Sequence, residues 1–183
     1  LKEYNPKKAL EMLKEAGYKG EPITVLHATD HVTINPSTQV LIQAMREAGL
    51  NVDVQAMDWG SVVQRRAKKE PPAQGGWNIF VTTSSGISGS NPIIHTWLGA
   101  ACDRGLFGWP CDPEVEQLRS KWGFAQTDAE RLKIATDLQT RAIEQVVYVP
   151  YGQWAQPIAY RSDRLSGVLG VSGLAVLWNI TKK

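Results

Sequence analysis

The chain has 183 residues, of which 43% are hydrophobic and 21% charged, with a formal net charge of +2. That length fits one domain, or one lobe of a larger protein, with enough material to bury a core. The charge is too small to argue for a nucleic-acid or anionic-membrane surface, and no apolar run approaches the ~20 residues that span a bilayer. Asn5-Pro6 opens the first predicted helix. Asn5 can cap it, Pro6 takes the first helical position, where its missing N–H costs nothing, and Gly17 supplies the left-handed residue that ends it. Ala9, Leu10, Leu13 and Ala16 form its apolar stripe. A capped helix with no initiator Met before it implies that residue 1 is not the native N-terminus, and that any export signal lies outside this sequence.

The spacing then predicts a strand over 23–26, a polar loop over 28–35, and a second helix opened by Asn35-Pro36 and stopped by Gly49. Its expected inward stripe is Val40, Leu41, Ala44, Met45 and Ala48. Residues 51–57 alternate apolar and polar like a half-buried strand, and Asp58 can cap a third helix running to about Lys69. Glu70-Pro71-Pro72 and the glycines after it break the pattern, and a buried strand is predicted over 77–83. Residues 84–92 hold too many turn formers to be regular. Asp112-Pro113 starts a helix with Val115, Leu118 and Trp122 inward. Thr127 and Glu130 form a capping box for the longest helix, with Leu132, Ala135, Leu138 and Ala142 inward. Strands are expected over 146–153, 157–161 and 176–180.

Strands alternating with helices predict an α/β fold with right-handed crossovers and a sheet that is at least partly parallel. Ligands of such sheets collect at the carboxyl ends of strands, which points to the hydroxyl-rich segment that leaves the third strand at Thr83, Ser84 and Ser85. Trp59 and Arg66 lie seven residues apart, two turns along one helix face, and could offer a ligand an apolar plate and a carboxylate fork. The bland alternative is a core Trp beside an exposed Arg. Arg65, Lys68 and Lys69 around it read as complements of a helix dipole. His27, Asp30 and His31 could hold a metal, but they straddle a strand end and a loop, and His95 stands far off in sequence. The sequence contains no nucleophile elbow, zinc-protease motif or phosphate-binding loop. Cys102 and Cys111 lack the second pair that structural zinc needs, which leaves a disulfide or two free thiols.

Several segments, taken in order, resemble the bacterial extracellular solute-binding proteins of family 5, the dipeptide, oligopeptide and nickel receptors of ABC importers. They are Tyr4-Asn5-Pro6 with Glu15-Ala16-Gly17-Tyr18, Ala48-Gly49-Leu50-Asn51-Val52-Asp53-Val54 followed by Asp58-Trp59, and Gly76-Trp77-Asn78-Ile79-Phe80. Further on come Asp112-Pro113-Glu114-Val115, Thr127-Asp128-Ala129-Glu130-Arg131 and Val149-Pro150-Tyr151. The resemblance covers essentially the whole chain.

It implies a type II periplasmic-binding-protein lobe, a mixed sheet flanked by helices, with 1–183 as the C-terminal ligand-binding lobe and the N-terminal lobe absent. The implied function is capture of a peptide or other small solute in an interlobe cleft and its delivery to a membrane permease, without catalysis or cofactor. A periplasmic or lipid-anchored extracellular location follows, and an exported receptor favours the Cys102–Cys111 disulfide. The residues matching Trp59, Arg66, Thr83, Ser84, Ser85 and Gly86 line the cleft in oligopeptide binders, where an acid pairs with the ligand's α-amine at the position of Gly86. Gly86 is a departure that argues against ordinary peptide recognition, because a buried ammonium without a carboxylate is costly. A nickel-complex receptor using His27, His31 or His95 is the alternative. An α/β hydrolase is a weaker one, for want of a nucleophile–base pair.

Overall fold

A computed structural model describes residues 4–155, 157–171 and 174–183. The chain forms two compact units, Leu1–Thr83 and Ser84–Lys183. In the first, the order is α1 (Pro6–Glu15), β1 (Ile23–Ala28), α2 (Ile34–Glu47), β2 (Val52–Met57), α3 (Trp59–Arg65) and β3 (Ile79–Phe80). The sheet order is β2-β1-β3, and both pairings are parallel, in register from Ile23↔Val52 to Ala28↔Met57 on one side and at Val25↔Ile79 and Leu26↔Phe80 on the other.

β1 is the central strand and is buried from Thr24 to Ala28, which is why its sequence reads as a nearly continuous apolar run. Its successive side chains feed two cores. Val25 packs with Ile42 and Met45 of α2, whereas Leu26 and Ala28 pack with Val62 of α3, Val81 and Ile34. The caps of α1 are as the sequence predicts. The Asn5 side chain accepts from the Lys8 N–H, and Gly17 has φ +85°.

Three expectations in this unit need correction. α2 starts at Ile34, ahead of Asn35-Pro36, and Thr33 gives it no side-chain cap. Its buried positions are Ile34, Thr38, Ile42 and Met45, with Ala48 just beyond its end, while Val40 is 68% exposed. Thr38 can take a core position because its hydroxyl donates to the Ile34 carbonyl at 2.7 Å, which leaves no unpaired polar atom. α3 ends at Arg65 rather than near Lys69. The Trp77 indole N–H donates to the Arg66 carbonyl, which a further turn would otherwise have bonded, and the Arg65 guanidinium ties the following loop through the carbonyls of Gly75 and Gly76. β3 pairs over two residues instead of seven, and just ahead of it the Asn78 side chain accepts from the Thr24 N–H.

Among its described residues the second unit holds α4 (Pro113–Phe124), α5 (Asp128–Glu144) and the short strands β4 (Leu165–Ser166), β5 (Leu169–Val171), β6 (Leu174–Val176) and β7 (Thr181–Lys182). β4 pairs with β7 and β5 with β6, both antiparallel. Its core joins Leu98, Ala100, Val115, Leu138 and Ala142. Asp112 caps α4 through the Val115 N–H and binds the Arg141 guanidinium of α5 at 2.7 and 3.0 Å. The capping box of α5 is present in altered form: Thr127 accepts from the Glu130 N–H, while the Glu130 carboxylate reaches the Gln126 N–H. Cys102 and Cys111 are disulfide-bonded, beside a bridge between Ala101 and Cys111.

Leu132 is 70% exposed rather than inward, since only the later turns of α5 meet this core. The strands expected over 146–153 and 157–161 are absent from the described residues. Those segments are rich in β-formers, but no described strand pairs with them. The last expected strand is displaced, with Val176 ending β6 and pairing resuming at Thr181.

Candidate functional site

The three parallel strands of the first unit end at Ala28, Met57 and Phe80, so the segments after them emerge at one edge of the sheet. After β2, the Asp58 carboxylate accepts from the Ser61 N–H at 3.0 Å and from the Ser61 hydroxyl at 2.6 Å, which starts α3 and holds that carboxyl below its ordinary range. After β1, the Asp30 carboxylate accepts from the Trp59 N–H at 2.8 Å. Two acids therefore fix the first turn of α3, where a carboxylate is favoured by the helix dipole.

Trp59 is half-buried and packs against the core around Leu26 and Val62. The Arg66 guanidinium lies 5.5 Å from the Trp59 ring centroid and 5.8 Å from that of Phe80, within cation–π range of both. Burial lowers the Arg66 pKa. Trp77 meets Phe80 edge-to-face at 4.9 Å. The structure therefore brings Trp59 and Arg66 together as their spacing predicts, and adds Phe80, which the sequence reading did not single out.

His31, which the sequence offers only as a metal-ligand candidate, also stands beside Trp59. Its ring stands edge-on to Trp59 at 5.7 Å, and its Nδ1 accepts from the Thr33 and Ile34 N–H groups at 3.3 and 3.2 Å. It thus supplies the cap that α2 lacks from Thr33. A polar residue two or three positions past a central strand, and just ahead of a helix with no capping residue of its own, is the signal for that capping role.

Thr83 is half-buried shortly past β3 and closes the first unit. Ser84, Ser85 and Gly86 open the second and are exposed. The Ser84 hydroxyl accepts from the Trp97 indole N–H at 2.6 Å, and the Ser85 and Ser88 hydroxyls lie 2.8 Å apart. Gly86 has φ −57°, ordinary right-handed helical backbone ahead of the single turn Ile87–Gly89.

The remaining histidines belong to different units. His27 is buried with Nε2 2.8 Å from the Asn35 side-chain oxygen, and His95 has Nε2 3.1 Å from the Tyr148 hydroxyl. Burial, aided by the charge of Arg119, lowers the His95 pKa, and its Nδ1 is buried without a hydrogen-bond partner. Among the described residues no three His, Cys, Asp or Glu gather in one place, and no helix is long and apolar enough to cross a membrane. Two open grooves of the first unit lie away from the Trp59 cluster, one against Gln39, Gln43 and Val54 and one between α1 and α2.

Comparison with known proteins gives the lineage. The family model for bacterial extracellular solute-binding proteins, family 5 (middle) matches residues 1–100. A probable peptide ABC transporter periplasmic-binding protein of Sinorhizobium fredii is 37% identical over 178 residues, which is 97% of this chain and 33% of that protein. The glutathione-binding protein GsiB of Escherichia coli is 37% identical over 89 residues, covering 47% of this chain and 17% of that one. Among solved structures, the ABC transporter substrate-binding protein CtaP of Listeria monocytogenes superposes with a TM-score of 0.62 at 17% identity, over 78% of this chain and 28% of that one. This likeness places the fold among the type II periplasmic binding proteins. The chain spans about a third of the length of the Sinorhizobium relative. It belongs to the bacterial extracellular solute-binding proteins of family 5.

Proposed function

We propose that this chain is the C-terminal ligand-binding lobe of a receptor that captures a peptide or another small solute and hands it to the permease of an ABC importer. The observation that carries the reading is the 37% identity to a probable peptide ABC transporter periplasmic-binding protein across 97% of the chain. The opposing lobe lies in the part of the receptor outside these residues. The receptor works in the periplasm or on a lipid anchor outside the cell, as a carrier and not as an enzyme.

Within this lobe, Trp59 is the apolar plate and Arg66 the cation over it, supported by the distances between their side chains. Thr83, Ser84 and Ser85 offer hydroxyls to the ligand, and Gly86 brings no charge. Such a set suits neutral or anionic groups better than an ammonium. The test is calorimetry on the full-length receptor with a tripeptide library and with other small solutes, alongside the Trp59→Ala and Arg66→Met variants. Saturable binding that weakens in both variants is expected. A receptor that binds its ligand equally well without Trp59 and Arg66 would remove this site assignment.

A further inference from the structure

We propose that His95 and Tyr148 form a clasp that positions the hydroxyl-bearing segment 84–89 for the solute, closed at neutral pH and loosened by acid; this rests on the receptor reading above. All of these residues lie in the second unit. The segment is fastened at both ends to the short stretch 95–98. At its start, the Ser84 hydroxyl accepts from the Trp97 indole N–H at 2.6 Å. At its end, the His95 ring lies against Gly89, where a Cβ would come within 3.6 Å of Cδ2 and Nε2. Between these anchors the Ser85 and Ser88 hydroxyls lie 2.8 Å apart, and the Ser88 and Gly89 N–H groups donate to the Ser85 and Gly86 carbonyls. The ring itself is held from outside the loop. Tyr148, just past the end of α5, places its hydroxyl 3.1 Å from Nε2 and its own ring 5.3 Å from the imidazole, tilted by 46°.

Residues 84–98 carry no ionisable side chain besides His95, so acid acts on this loop through one group. Two elements bring polar or charged groups to it. α4 brings Arg119, paired with Glu116 at 2.8 Å, and the segment after α5 brings Tyr148, whose raised pKa keeps it un-ionised. The Nδ1 atom of His95 is buried without a hydrogen-bond partner. Burial, with a further contribution from Arg119, lowers the His95 pKa, and its own backbone carbonyl offsets part of this without making a hydrogen bond. The neutral ring is therefore the packed form, because a second ring proton would be buried beside a guanidinium with no partner in place. The packed pKa lies below the ordinary value of 6.5, so a released loop binds more protons than a packed one. The clasp is thus fully held above about pH 6.5 and is lost as pH falls through the packed value. Arg119 does not titrate, and its guanidinium donates to the Pro92 and Ile93 carbonyls, so 92–93 stay anchored while the segment ahead of them loosens.

A histidine that only fills space predicts lower melting temperatures on substitution and nothing more. His95→Gln keeps an N–H donor for the Tyr148 hydroxyl but does not titrate, and Tyr148→Phe keeps the ring and removes the hydroxyl. The first readout needs no ligand: hydrogen exchange over 84–91 in the full-length receptor at about pH 7.5 and about pH 5, corrected for intrinsic rates. The unaltered receptor is expected to lose protection at the lower pH, a comparison that needs no variant to fold. His95→Gln is expected to show the same protection at both, and Tyr148→Phe reduced protection at both. The second readout is calorimetry with an equimolar tripeptide library under the same two conditions. The affinity of the unaltered receptor is expected to fall about threefold to tenfold in acid, the worth of one hydrogen bond, and that of His95→Gln to stay level. Equal protection at both pH values in the unaltered receptor, or the same pH response in His95→Gln, overturns the proposal, as does an affinity that ignores an opened loop. If the loop loosens in acid as expected and the library binds at neither pH, the peptide reading of the solute fails while the clasp stands.

Discussion

In the proposed site, Gly86 is the position where a new side chain is expected to change ligand preference most. Its φ of −57° is open to any L-residue, so an aspartate can be placed there without backbone strain. Gly86→Asp in the full-length receptor is expected to raise affinity for free over N-acetylated peptides by about 1–3 kcal/mol, the value of a new charge-assisted hydrogen bond. Paired calorimetric titrations read it. The unmodified receptor should bind both forms alike, and a strong preference for the free amine there would mean that another acid grips it. Asp112 carries a pH prediction. Its hydrogen bonds to Arg141 and then to the Val115 N–H hold its carboxyl below the ordinary range. An acid with a depressed folded pKa stabilises the protein above its unfolded pKa of ~3.9, and the stabilisation is lost as pH falls through the folded value. Asp112→Asn should therefore lower the melting temperature at pH 7 and narrow its gap to the parent as pH approaches 3.

At the scale of elements, capping chemistry was legible and burial phase less so. Asn5, Asp58, Asp112 and Thr127 all cap helices where their sequence contexts predict, because a cap needs only residues three or four positions away. α2 was misphased because a Thr able to bond its own backbone replaced an apolar residue in the stripe, and because its cap comes from His31, upstream of the Thr33 N-cap position. The Trp59–Arg66 pair followed from helix periodicity, whereas Phe80 and His31 reach it through strand pairing that no local pattern encodes. The strands expected over 146–161 failed for the complementary reason. Val146, Val149, Tyr151, Trp154, Ile158 and Tyr160 carry strand propensity, but a strand exists only where another backbone pairs with it. In the longer receptor these residues are expected to exchange their amides more slowly than in the 183-residue chain alone. Equal, fast exchange in both would leave the local signal without a structural counterpart.

Two covalent or charged clamps set how well the loops between elements hold. The Cys102–Cys111 bridge closes a short loop, and in the chain-entropy model a loop of ~10 residues is worth about 2.7 kcal/mol. Replacing both cysteines by Ser should cost about 2–3 kcal/mol in a urea titration with no change of slope. Alkylation of the native unreduced protein should add no mass, and two alkylated thiols would exclude the bridge. Arg65 fastens the loop after α3 through Gly75 and Gly76 while also donating to Gln55 on β2. Arg65→Met keeps much of the stem but removes three donors, so cleavage within 68–76 by a nonspecific protease should accelerate well before global unfolding.

At the scale of the whole molecule, the fold was carried by the order of motifs and the function by the lineage, and both stop at the edge of these residues. The chain spans 33% of the Sinorhizobium relative, and the residues proposed for the site are half-buried or exposed rather than enclosed. A receptor that closes on its ligand divides the contacts between two lobes, and binding energy from one lobe alone is roughly half the total before ordering costs. For a ligand held at about 1 μM by the full receptor, some −8 kcal/mol, half that energy corresponds to a dissociation constant near 1 mM. The isolated 183-residue chain, checked for folding by circular dichroism, is therefore expected to bind at least about a hundredfold more weakly than the full-length receptor in matched calorimetric titrations. Equal affinity would mean that the site is complete within this chain, and that Trp59, Arg66 and their neighbours enclose the ligand without a second wall.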